Sequence, residues 1–478
     1  MKRWRNFGAL LSLAAILTSC GGSGGGSSGG GSAAAPSPAP TSSGSSSACT
    51  LEARQNWAGG VLQEWYLFPE TLPASLAPSG QATVQAFIDA LTATARSQGR
   101  DRFFTYLTSI REEEAYYNTG STAGFGIRLS TDAVQRRAFV AESFEGAPAF
   151  ALGLDRGDEI IAIGETPGNL RLVSDIIAAE GTGGVSAALG PSTAGVTRTV
   201  RLSGPGGARE VTMSKADYAL QPVSSRYGAK IIEEGGRKVG YLNLRTFITT
   251  ADSQLRTAFD QFRAAGVTEL IVDFRYNGGG LVSTAYLLND LIGRSRFSSE
   301  VQSRVSYRPE KASRDETRFF QPQAQSVAPM RVAFIGTGAT ASASELVINA
   351  QIPYLAKNMA LVGSNTYGKP VGQIAIDRSA CDDRLRVVAF STKNAANSDA
   401  YFNGLAATVP NSCAAMDDVT FPLGDPREAS VARALDFLAG RTCTPIPTGQ
   451  SGQSLAARRQ LLAPEAPTTA QREVPGLF

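Results

Sequence analysis

Two apolar runs constrain this chain more than any other feature. Glu269-Leu-Ile-Val-Asp-Phe274 and Arg331-Val-Ala-Phe-Ile335 are apolar at consecutive positions, not alternate ones. A strand can be apolar on both faces only when both are covered, as in a parallel sheet flanked by helices. Val239 to Leu244 and Ala360 to Gly363 read as further strands, and Ala251 to Ala265 and Ser283 to Ile292 carry helical spacing. From about Gly240 to Leu438 strands therefore alternate with helices, which predicts an α/β block.

Both leading strands run into turns built for close approach. After Phe274 comes Arg275-Tyr-Asn277-Gly278-Gly279-Gly280, opening into a helix. Glycines at such a junction bring the backbone close to a ligand and aim free N–H groups at it. The turn lacks the Lys-Ser/Thr of a nucleotide loop, so a donor to an oxyanion fits it better than a phosphate cradle. After Ile335, a run of small residues leads to Ser342-Ala343-Ser344-Glu345 at the start of the next helix. A serine there is exposed and its neighbour's amide is unpaired, because helix starts leave amides without partners.

The chain contains no histidine, which excludes a Ser-His-Asp triad, a Cys-His dyad and a histidine-ligated metal site. Any base must come from another side chain, and lysine is scarce beside arginine. Lys369 follows Gly368 in a glycine-flanked loop, one strand-helix-strand unit after Ser342, and Gln373 lies four residues on. Such a unit returns the chain beside its start. A lysine desolvated there would disfavour its charged form and take a serine proton near neutral pH.

Two other blocks precede this one. Residues 51–116 carry helical spacing, as in Trp57, Val61, Leu62 and Trp65, and predict a small helical domain. Residues 117–217 change to short β-type runs between glycine turns. Within them Gly124-Phe125-Gly126-Ile127, Glu145-Gly-Ala-Pro-Ala149 and Gly153-Leu-Asp-Arg-Gly157-Asp158-Glu-Ile160-Ile-Ala-Ile163 resemble a PDZ domain. The resemblance implies that Phe125, Gly126 and Ile127 form a peptide-binding loop, whose amides cradle a carboxylate while the adjoining strand edge accepts an added strand.

Over about residues 51–440 the chain resembles the C-terminal processing (tail-specific) peptidases of serine peptidase family S41. The resemblance rests on Asp273-Phe-Arg275-Tyr-Asn277-Gly-Gly-Gly280, on Ser342-Ala-Ser344-Glu345, and on Gly368-Lys369 with Gln373. It implies a multidomain α/β protein: a helical N-terminal domain, a β-rich PDZ domain at 117–217, and a peptidase core at 218–443 with a mixed sheet of the ClpP/crotonase type. It further implies Ser342 as nucleophile, Lys369 as base and Gln373 as the residue that orients it. Amides of Gly278, Gly279 and Ala343 would form an oxyanion hole. Pro370 departs from many relatives and removes a backbone donor from the lysine loop. Substrates would be exported proteins or peptides presented by a C-terminal or unfolded segment. The competing expectation is a catalytically silent peptide-binding adaptor on a peptidase scaffold.

Residues 1–19 have a basic start and an apolar run too short to span a bilayer permanently, the form of a secretory signal. Leu17-Thr-Ser-Cys20 resembles a bacterial lipobox, which implies a lipid on Cys20 and an exported lipoprotein, at the outer membrane facing the periplasm or at the cell surface. Residues 20–50, rich in Gly, Ser, Ala and Pro, are expected to be a disordered tether, and 444–478 a disordered tail. Once Lys2, Arg3 and Arg5 are removed, the balance of 45 basic and 42 acidic residues closes to zero. That argues against nucleic acid as a partner. Cys49, Cys381, Cys413 and Cys443 are candidates for two disulfides in an oxidising compartment. Three pairings are open, with Cys381–Cys413 and Cys49–Cys443 preferred. No metal or organic cofactor is expected.

Overall fold

A computed structural model describes residues 47–448 and 459–478. The signal segment, Cys20 and the tether up to residue 46 lie outside the described residues, as do 449–458.

At the centre is a six-stranded mixed sheet in the order Ala229–Glu234, Arg237–Asn243, Glu269–Asp273, Arg331–Gly336, Met359–Gly363 and Ser412–Ala414. The first pair is antiparallel and every later pair is parallel. Side chains alternate between two cores. Leu242, Leu270, Val272, Phe334 and Leu361 face the helices Ala251–Ala264, Val282–Ile292 and Ala343–Leu355. Tyr241, Ile271, Ile335 and Val362 face the helix Ala429–Leu438. Covering both faces is why these strands read as unbroken apolar runs.

The β-rich block forms a second sheet around a core that includes Phe125, Ile127, Leu129, Val140 and Leu202. The amphipathic helices Leu51–Trp65 and Val84–Leu91 do not close on themselves. Leu62, Phe87 and Ile88 pack onto Val371, Leu385 and Val387 of a long hairpin formed by Val371–Arg378 and Asp383–Lys393. That hairpin also pairs with Tyr106–Ser109, and it lies between the lysine loop and the helical block.

Two expectations are corrected. Residues 459–478 are ordered: Gln460–Leu461 pairs with Ile127–Asp132, Thr469–Glu473 is a short helix, and Val474, Leu477 and Phe478 are buried. The polar composition is real, but its scattered apolar residues are the ones that dock. The disulfides are Cys49–Cys381 and Cys413–Cys443, not the preferred pairing, with Cα atoms 5.5 Å and 5.3 Å apart. Cys49 precedes the helix that packs on the hairpin, and Cys381 sits at that hairpin's tip. Cys413 lies on the sheet's edge strand beside the segment carrying Cys443.

Candidate active site

The site lies at the C-terminal ends of the parallel strands, where an α/β sheet opens a crevice. One wall is the glycine turn. Asp273 closes its strand, and the buried Arg275 reaches back to it at 2.7 Å and across to Glu428 at 2.7 Å. Both charges of Asp273 and Arg275 are thus paired out of water, which braces the turn. Asn277 Nδ2 donates to the Leu244 carbonyl at 2.8 Å. A side chain at Gly280 would sit 2.2 Å from the Phe247 carbonyl oxygen, so only glycine fits.

The turn also separates the two glycines expected as donors. Gly279 N–H is used internally, donating to Asn277 Oδ1 at 2.9 Å, so Gly279 is corrected as an oxyanion donor. Gly278 N–H faces the cleft and donates to the Glu473 carbonyl at 2.9 Å. Gly279 instead serves by closeness: a Cβ there would lie 2.8 Å from the Ser342 Cβ. Ala343 is the first residue of the following helix, in the turn whose amides the helix leaves unused.

Ser342 is half-buried and has φ +54°, a left-handed backbone that a non-glycine residue holds only when its surroundings enforce it. The enforcing group is Glu345, fully buried one turn on. Its Oε2 accepts the Ser342 amide at 3.1 Å and the Lys369 amide at 2.7 Å, and its Oε1 accepts the Gly368 amide at 2.7 Å. Burial pushes its carboxyl up, and the donated hydrogen bonds oppose that. One carboxylate therefore ties the serine elbow to the lysine loop.

Lys369 Nζ donates to Gln373 Oε1 at 2.9 Å and lies 4.9 Å from the centre of the Phe104 ring. Gln373 in turn donates to the Phe104 carbonyl. Ser342 Oγ is not among the hydrogen-bond partners of Lys369, so the amine and the hydroxyl share the cleft without being joined in this state. The stem of Lys369 is partly exposed, but its amine end is enclosed. Burial holds it below the ordinary lysine range, with Arg386 and Arg472 acting in the same direction and Glu473 and Asp101 opposing. Gly368 has φ +90°, and Arg102 holds the loop by donating to the Tyr367 and Gly368 carbonyls, each at 2.6 Å.

The Phe125-Gly126-Ile127 loop is 151 residues and more away in sequence from Gly278 but is joined to it by one stretch of chain. Gly126 N–H and Ile127 N–H donate to the Phe478 carbonyl oxygen at 2.8 Å and 3.2 Å, and Phe478 N–H donates to the Ile127 carbonyl at 2.8 Å. Phe125 points into the core of its block instead. Arg128 on the same strand donates to the Pro475 carbonyl at 3.0 Å and pairs with the buried Glu142. Residues 473–478 thus run from the glycine turn to the Gly126-Ile127 loop.

Sequence reasoning passed over Glu345 as a bridge, Arg102 and Phe104 as supports of the lysine, and Glu473 as the acceptor of the Gly278 amide. Glu345 had a signal, an acid three residues into a helix behind a serine. The others come from distant segments and had none.

The parallel strands of an α/β sheet thus carry a strained serine elbow, a desolvated lysine and a close-approach glycine turn. Residues 238–401 match the model of peptidase family S41. It is 28% identical over 271 residues to the chloroplastic C-terminal processing peptidase of Tetradesmus obliquus, covering 54% of each chain. It is also 28% identical over 254 residues to a carboxyl-terminal-processing protease of a Picosynechococcus strain, covering 52% of this chain and 55% of that protein. The chain spans about half the length of the curated relatives it matches. A crystal structure of a Bacteroides fragilis protein assigned to the S41 proteases superposes with a TM-score of 0.62 at 23% identity, over 80% of this chain and 97% of that one. At that identity the likeness is one of fold.

Proposed function

We propose that this chain is a serine endopeptidase that cleaves exported proteins or peptides through Ser342, with Lys369 as general base and Gln373 orienting it. The observation that carries this reading is the Glu345 bridge: its bond to the Ser342 amide is a capping box that any helix start could use, but its further bonds to the Gly368 and Lys369 amides hold the lysine loop against the strained serine. In the reaction, the Ser342 Oγ–H bond breaks as its proton passes to neutral Lys369 Nζ and Oγ bonds to the scissile carbonyl carbon. Negative charge gathers on the carbonyl oxygen, where the Gly278 and Ala343 amides stabilise it. Collapse expels the amine, which takes the proton from Lys369, and leaves an acyl-enzyme. The same lysine then deprotonates a water that releases the acid.

The β-rich block acts as a PDZ-type capture module. Its strand edge at Ile127–Asp132 takes a substrate as an added strand, and Gly126 and Ile127 hold the backbone oxygen at the end of the groove. Attachment of the chain to an envelope membrane through Cys20 belongs to the same proposal. Hydrolysis of casein and of an unstructured reporter peptide by the purified chain tests the chemistry. Activity is expected to vanish in Ser342→Ala and Lys369→Ala; full turnover in either variant would remove the mechanism.

A further inference from the structure

We propose that residues 469–478 are an intramolecular inhibitor that occupies the substrate channel from end to end; this rests on the peptidase reading above. Three observations meet in this segment. The Glu473 carbonyl accepts the Gly278 amide, the position that a scissile carbonyl would take. Further along, Gly476 and Phe478 use the amides of Gly126, Ile127 and Leu129 that an incoming peptide would need, with Leu129 N–H donating to Gly476 at 2.8 Å. The bond at the glycine turn is moreover not presented as a substrate. Residues Thr469–Glu473 form a helical turn, whereas a chain entering a protease cleft as an added strand is extended.

The segment is held from several sides. Thr469 N–H donates to Glu112 at 2.8 Å, Tyr117 donates to the Glu473 carboxylate at 2.9 Å, and Phe478 is 2% exposed within the core of the capture block. Its backbone is fitted too: Gly476 has φ +84°, and a Cβ there would approach the Arg128 side chain to 2.9 Å. A tethered competitor acts at an effective concentration on the order of mM, so substrates at μM levels engage poorly until it leaves.

The test uses the full chain with Leu477→Asp/Phe478→Asp, and separately Gly476→Val, each checked for folding by circular dichroism and thermal unfolding. Casein turnover is expected to rise about tenfold or more in the folded variants, and a fluorescent peptide of residues 459–478 should bind the variants and not the parent chain. Added in excess, that peptide should restore the parent's low rate. Unchanged or lower turnover in folded variants overturns the inhibition while the peptidase reading stands. Equal binding of the peptide to parent and variants overturns the occupancy itself. Turnover that persists when Ser342→Ala is added to a released variant removes the peptidase reading, and the inhibition with it.

Discussion

The Glu345 carboxylate lies 2.7 Å from the amide of Lys369, and the same oxygen lies 3.1 Å from the amide of Ser342. Two segments that fold as separate loops therefore share one buried acceptor. An ionised or protonated oxygen can serve, but an amide nitrogen cannot, since it would face an N–H.

Replacing Glu345 by Gln keeps one acceptor and turns a donor toward at least one of the three amides. Unfolding free energy is expected to fall by about 1–3 kcal/mol, the cost of leaving buried donors unpaired. Activity should fall further than stability alone explains, because the lysine loop is released from the elbow. Urea titration alongside kcat and KM separates the two; an unchanged kcat would show that the bridge is structural only.

The pH profile follows from Lys369. The amine must be neutral to accept the serine proton, so kcat/KM should rise as pH climbs through its folded pKa, which burial holds below the 10.5 of a free lysine. The Glu473 carboxylate opposes that depression. Asp101 opposes it too and stays in place when the 469–478 segment leaves, so Asp101→Asn should move the rising limb to lower pH, while a limb that stays put or moves up would contradict the assigned base.

Acid stability should depend on Glu142. Burial disfavours its ionised form, but Arg245 and Arg128, both buried against it, outweigh that and hold its carboxyl at about 2. Its contribution to stability is complete above the ordinary carboxylate range and is lost as pH falls toward 2. Glu142→Gln strips the buried Arg128 of its carboxylate and leaves Arg245 with Glu145 alone, and a loss of about 3 kcal/mol is expected at neutral pH. Thermal unfolding from pH 7 down to pH 2 would show parent and variant converging.

The Cys413–Cys443 bridge closes a short loop, with a sequence separation of 30. Removing it by Cys413→Ala/Cys443→Ala is expected to cost about 3–4 kcal/mol by the chain-entropy relation for a loop of that size. Because the bridge lies at the sheet's far edge, kcat should be nearly unchanged. A variant as stable as the parent would place the stabilisation elsewhere.

Much of the central sheet is legible in the sequence because its strands are buried on both faces. The runs at Glu269–Asp273 and Arg331–Gly336 have no other plausible environment. The hairpin Val371–Lys393 is different. It packs apolar residues on the helices while its own strands also carry charged residues such as Asp377 and Arg384, so its apolar positions are spaced and no glycine pair announces its turn. The helical block similarly reads as a domain, since an amphipathic face does not say which surface it will meet.

Within the site, residue types were visible and distances were not. Ser342, Gly278 and Lys369 stand out because local chain geometry demands them: a helix start, a close-approach turn, a glycine-flanked loop. That Gly279 turns its amide inward depends on Asn277 Oδ1, and that Gly278 finds Glu473 depends on a segment nearly two hundred residues further along.

The linear chain by itself determined the strand pattern, the absence of an imidazole base and the few side chains left to do chemistry. These follow from local periodicity and composition. Only the tertiary structure decided the disulfide pairing, the Glu345 bridge and the path of residues 459–478 along the β-rich block to the glycine turn. Each of those joins segments whose meeting depends on packing summed over the whole core, which no local pattern encodes.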